Sequence, residues 1–197
     1  GYRLGGADGW SPWSTYATAD PGTPPPPPPP GGGGGGGGDG PGDIHPVGGC
    51  FRDGTAWVWM ADRSWRAIED ISVGELVLAW DRSGRIWPAR VEAVHTIDAE
   101  EGLHLDFDND SFDVTDHPFA PTMESRRLVS QMDAGETMME YHRGVWGTST
   151  VQVKPETVEY DRPTRHRTLT VRGWASYFVR GGSDRPAKAV YNKPNNT

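Results

Sequence analysis

A single thiol stands directly behind two glycines in "GGCFRDGTA" (48–56): Cys50 is the only cysteine in the chain. One cysteine excludes an intramolecular disulfide and any zinc site built on paired cysteines. Three roles remain: a buried structural thiol, an exposed free thiol, or a nucleophile. Only the last does chemistry. Cysteine attacks as its thiolate, and it is a strong nucleophile even when about a few per cent ionised near neutral pH. The six histidines show no metal-ligand spacing. "DFDNDS" (106–111) imitates the start of a calcium loop. Its sixth position is Ser111 where that loop needs glycine, and its twelfth is His117 where it needs glutamate, so calcium is not expected. Trp57, Trp59, Trp65, Trp80 and Trp87 could line a sugar site, but they sit within strand-like segments and are expected to pack a core.

The elements that must hold Cys50 begin abruptly. Glycine (27) and proline (18) are abundant in the 197 residues and concentrate in the first quarter. Seven prolines (24–30) predict a stiff polyproline II rod of roughly 22 Å, and eight glycines (31–38) a coil of roughly 15 Å. The expected organisation is therefore the end of an upstream region at 1–19, a flexible Pro/Gly linker at 20–49, a folded domain at 50–192 and a short tail at 193–197. The net charge is −8, with no basic stripe of the kind a nucleic-acid binder carries. The densest basic stretch, "RPTRHRTLTVR" (162–172), reads as a solvated strand edge, and nucleic acid is not an expected partner. No apolar run approaches the roughly 20 residues of a membrane span, so no membrane partner is expected either.

After Cys50 the texture is one of short alternating segments between turns, with no helical period. Strands are predicted at 55–61, 75–81, 85–97, 103–108, 111–115, 149–160, 166–173 and 175–181, which makes the domain all-β. Within it, "EDISVGELVLAWD" (69–81) lines up with "SQMDAGETMMEYH" (130–142) at a constant offset, placing Gly74 on Gly135 and Glu75 on Glu136. Two related β subunits are a plausible source of this echo.

The stretch 49–81 resembles the start of a Hint domain, the module shared by inteins, bacterial intein-like domains and the Hedgehog autoprocessing domain. The features that match are the leading Cys-Phe, "DGT" (53–55), "MAD" (60–62) and "IEDISVGELVLAWD". "DVTDHPF" (113–119) is similar to the family's Thr-and-His motif, "RTLTVRGWASYFVRG" (167–181) to its late strand pair, and "VYN" (190–192) to its terminal asparagine. The resemblance implies a Hint fold with pseudo-twofold related β subunits, and autocatalytic cleavage of the flanking polypeptide. Cys50 would attack the carbonyl of Gly49, converting the Gly49–Cys50 amide into a thioester. His117 would protonate the departing nitrogen as general acid, and Thr115 would hydrogen-bond the scissile amide. Water or a small thiol would then release residues 1–49. No cofactor or metal is implied, and a monomeric domain is expected.

Several positions depart from the family pattern. Thr115 lies two residues before His117, where the family threonine lies three before, and Val114 holds the third position. Ala175 and Tyr191 stand where histidines usually assist the terminal asparagine, and Lys193 cannot receive a migrating chain as Cys, Ser or Thr would. Cleavage after Asn192 is therefore expected to be weak or absent, and splicing is not expected. These losses favour an alternative: an inert Hint-fold display module. A Pro/Gly tether before such a domain also resembles the ends of large phage or secreted bacterial proteins.

Overall fold

The structure, a computed structural model, describes residues 49–173 and 176–191. The expected upstream region, nearly all of the expected linker, Ala175, Asn192 and the tail lie outside the described residues. Thirteen strands follow in chain order: β1 (Phe51–Arg52), β2 (Trp57–Trp59), β3 (Trp65–Ala67), β4 (Leu76–Trp80), β5 (Ile86–Asp106), β6 (Ser111–Val114), β7 (Pro118–Thr122), β8 (Ser125–Leu128), β9 (Thr137–His142), β10 (Val145–Thr150), β11 (Glu156–Val171), β12 (Ser176–Arg180) and β13 (Ala187–Tyr191). Two single-turn 3-10 helices, Ile68–Asp70 and Val129–Gln131, interrupt them, and no α-helix occurs among the described residues. The all-β expectation holds.

Two antiparallel sheets organise these strands. One runs β11-β1-β6-β5-β4, with β11 pairing β5 as well; the other runs β10-β9-β13-β12-β2-β3, with β7 pairing β13 and β8. The long strands β5 and β11 pair from Glu156↔His104 to Val171↔Val91, with an irregularity between Glu159 and Thr164. The basic stretch at 162–172 is thus not a sheet edge. All of it but Arg172 lies within β11, between β5 and β1, and Thr168 to Val171 are buried in an unbroken run, both faces of the strand being covered there.

The sequence echo is a structural repeat. Ile68 N–H donates to Ala56 O at 3.0 Å, and Val129 N–H donates to His117 O at 3.2 Å, the equivalent bond of the second copy. Gly74 and Gly135 both turn with positive φ (95° and 89°), a conformation glycine adopts without the Cβ penalty, and their N–H groups donate to Val91 O and Val151 O. Arg66 pairs with Glu75 in one copy and Arg127 with Glu136 in the other. β2 pairs β12 while β7 pairs β13, which completes a pseudo-twofold arrangement.

The core is a large apolar cluster that includes Phe51, Phe112, Phe119, Leu105 and Tyr177. A second cluster holds Trp80 and Phe178, with Trp59, Trp65 and Trp146 packed against it. Of the five tryptophans expected in the core only Trp80 is fully buried. Trp59 and Trp65 stack face to face at 5.7 Å on its flank, half-buried.

Candidate active site

Strand register sets the first contact. β1 lies between β11 and β6, with Phe51 opposite Val114, so the residues just outside that pair, Cys50 and Thr115, face each other. Two bonds lock them. Thr115 N–H donates to Cys50 O at 2.8 Å, and Cys50 N–H donates to Thr115 Oγ1 at 2.6 Å. The second bond engages the nitrogen of the Gly49–Cys50 amide. The Arg52 guanidinium donates to Asp113 Oδ2 at 3.0 Å across the same strand pair and reinforces the register. The missing residue in the threonine–histidine spacing does not keep the Thr115 hydroxyl away, because Thr115 sits at the end of β6 and reaches Cys50 directly across the ladder.

Gly49 packs against the following corner. A Cβ at this residue would lie 2.0 Å from His117 N and 2.2 Å from the Asp116 carbonyl carbon, so backbone meets backbone and only glycine fits. Gly49→Ala is expected to push the residue away from the corner and to slow the self-cleavage that the family resemblance implies by about 10²-fold, the cost of a misplacement near 1 Å. Intact-mass time courses of variant and native chains check this.

His117 immediately precedes β7 and is almost wholly buried, its ring 4.4 Å from that of Phe51. Its Nδ1 lies 3.2 Å from Pro118 O, and its Nε2 lies 3.2 Å from Tyr177 OH and 3.3 Å from Thr168 Oγ1. Burial drives its pKa down to about 3, so the ring is neutral at physiological pH. Cys50 is 1% exposed. Burial pushes its thiol up to about 12, with the Thr115 hydroxyl pulling weakly the other way. The site therefore rests un-ionised: a thiol beside its own amide, and a neutral imidazole behind it.

The structure brings Gly49, Cys50 and Thr115 together and sets His117 against the same corner, whereas Asn192 lies outside the described residues. Tyr191, in the usual histidine position, is a packing residue: its hydroxyl donates to Met123 O at 2.9 Å and its ring meets Trp80 edge-on at 4.9 Å. Sequence reasoning missed Thr168 and Tyr177. Both lie in the late strand pair, but nothing in the spacing says that they meet His117. The described residues contain no cluster of three or more His, Cys, Asp or Glu side chains that could hold a metal ion.

No protein-family model matches the chain, and no curated protein matches it by sequence. Solved structures do match. A bacterial intein-like domain from Clostridium thermocellum is 22% identical with a TM-score of 0.62, covering 73% of this chain and 98% of that one. A DnaB intein from Synechocystis is 13% identical with a TM-score of 0.59, covering 74% of this chain and 99% of that one. A splice-inactive variant of the AceL NrdHF class 3 split intein is 16% identical with a TM-score of 0.61, covering 73% and 98%. With the paired sheets and the pseudo-twofold repeat, these likenesses show that the chain has the Hint fold, the fold of inteins and bacterial intein-like domains.

Proposed function

We propose that this domain is a single-turnover autoprocessing module that cleaves its own chain at Gly49–Cys50. The observation that carries the reading is the Thr115 hydroxyl bonded to the Cys50 N–H, with Gly49 seated against the His117 backbone. In the step, Cys50 Sγ loses its proton and bonds the Gly49 carbonyl carbon, and the bond from that carbon to Cys50 N breaks. The nitrogen leaves as an amine once His117 supplies a proton. Net, the proton of sulfur ends on nitrogen and an amide becomes a thioester. Water then gives a Gly49 carboxylate and restores the thiol; an added thiol or hydroxylamine does the same with its own atoms. The substrate is the flanking polypeptide, and the leaving segment is 1–49. Cleavage after Asn192 is weak or absent in this reading, and ligation of the flanks does not occur.

A second reading, an inert Hint-fold display module on a virion or secreted protein, draws on the near-complete burial of Cys50 and its raised pKa. One experiment separates the two. The chain is incubated with and without hydroxylamine across neutral to alkaline pH and followed by intact mass. Autoprocessing yields residues 1–49 carrying a hydroxamate at Gly49, together with a fragment that begins at Cys50. An unchanged mass after prolonged incubation would leave the inert module standing.

A further inference from the structure

We propose that Tyr177 and Thr168 are positioning residues that, together with the Pro118 carbonyl, hold His117 in the tautomer carrying its proton on Nδ1, an assignment of role that rests on the autoprocessing reading. The three side chains form a closed triangle: Nε2 to Tyr177 OH 3.2 Å, Nε2 to Thr168 Oγ1 3.3 Å, and Thr168 Oγ1 to Tyr177 OH 3.1 Å. They come from three separate places in the chain: β11, β12 and the residue just before β7. Each is at most 2% exposed.

Elementary donor–acceptor bookkeeping fixes the proton. The carbonyl of Pro118 can only accept, so the 3.2 Å contact to Nδ1 requires a hydrogen on Nδ1. A neutral imidazole has only one such hydrogen, which leaves Nε2 as a bare acceptor. Hydroxyls are the partners such an acceptor needs, since each can rotate its O–H toward the ring. Burial raises the Tyr177 phenol, so it remains an O–H donor throughout the working pH range. A buried triangle of this kind is costly unless satisfied, and an apolar trio would pack the same space at less cost.

The tautomer matters because Nδ1 is the ring nitrogen nearer its own backbone. Gly49 rests against that same backbone, at the Asp116–His117 peptide. In this reading the Nδ1 hydrogen leaves Pro118 O for the amide nitrogen whose N–H Thr115 already holds. As Nδ1 gives its proton to that nitrogen, Nε2 takes one from the hydroxyl pair. A proton from solvent, equal to the one Cys50 gives up on ionising, replenishes the pair, so neither imidazolate nor tyrosinate accumulates.

The test reads tautomer and rate separately. In the full chain carrying Cys50→Ala, long-range proton–nitrogen NMR of the imidazole should show hydrogen on Nδ1 and none on Nε2. Adding Tyr177→Phe and Thr168→Val together should convert this to a mixture of tautomers. In chains that keep Cys50, each of those substitutions should slow hydroxylamine-dependent release by about three- to tenfold, the scale of one hydrogen bond. Thr168→Ser, which keeps the hydroxyl, should preserve both tautomer and rate. A hydrogen on Nε2 in the Cys50→Ala chain overturns the proposal, as does an unchanged tautomer and rate in the double variant. A chain that never releases 1–49, yet shows the Nδ1 signature and loses it in the double variant, would defeat autoprocessing while upholding the hold of the hydroxyl pair on His117.

Discussion

Replacing Cys50 with alanine should abolish release of residues 1–49, and the native rate should climb about tenfold for each pH unit from neutral to about pH 10. The first outcome follows because the chain has no second cysteine and no other thiol to form the acyl intermediate. The second follows from the buried thiol, whose pKa is pushed up to about 12. At pH 8 roughly one molecule in 10⁴ holds the thiolate, and that fraction grows tenfold per unit until the pKa is reached. The sign is fixed, because the reactive form is the deprotonated one. His117 does not bend the profile in this range, since it is already neutral above about pH 3. His117→Ala should lower the rate by about 10²- to 10⁴-fold without changing the slope, the usual worth of a positioned general acid. Intact-mass time courses at a series of pH values, with a fixed concentration of hydroxylamine, read both effects. A flat profile would mean that the thiol ionises in another conformation and that the closed site is not the reacting one.

How far the sequence leads can be judged on individual residues. Cys50, Thr115 and His117 were legible because their motifs are short and local: a cysteine after glycines, and a threonine and a histidine inside one corner. The reach of Thr115 to the amide was not legible, because it depends on which residue of β6 opposes Phe51 across the ladder. Tyr177 and Thr168 are further still from local reasoning. Both strands are buried over four consecutive residues there, so alternation does not single them out, and nothing local says that strands distant in sequence deliver them to one imidazole.

The strand map fails in places with identifiable physical causes. The gap left at 98–102 between two expected strands is absent: β5 runs through it unbroken, paired with β11, and at Gly102 the Tyr160 hydroxyl fills the space a Cβ would need, 2.2 Å from that position. β11 likewise passes Pro163, absorbing it at the irregularity between Glu159 and Thr164. β7 was missed because Pro118 and Pro121 demote a strand reading, although Pro118 sits at the strand start, where no ladder donor is lost. The repeat was legible because glycines at equivalent turns are forced by φ, and the Arg66–Glu75 and Arg127–Glu136 pairs recur at the same places.

A lysine inside β13 would ordinarily be assigned to the surface, yet Lys188 is wholly buried, and the largest expected stability change lies there. Its ammonium donates to Asn109 Oδ1 at 2.5 Å and to Glu140 Oε2 at 2.7 Å, over the Phe107 ring at 5.0 Å. The loop that imitates a calcium site thus takes its positive charge from a side chain. That loop leads into β6, and Asp110 beside Asn109 accepts the N–H of Gly181 just beyond β12, so the cluster ties the Thr115 strand to the Tyr177 strand. Lys188→Met should strand the Glu140 carboxylate, which is only 14% exposed, and destabilise the fold by about 3–5 kcal/mol. For a domain of this size that is a fall of about 10–15 °C in Tm. Adding Glu140→Leu should recover most of the loss, because removing both charges also removes the desolvation cost. The Lys188 ammonium and the Asn109 amide hold the pKa of Glu140 below its usual 4.5 against the opposing pull of burial. The native cluster therefore contributes fully above that pH and weakens as pH falls through the lowered value, while the double variant should lack this acid-side loss. Thermal melts of the three chains, each carrying Cys50→Ala, at pH 7 and pH 4 would decide it. Equal losses in the single and double variants would instead assign the stability to packing of the lysine stem.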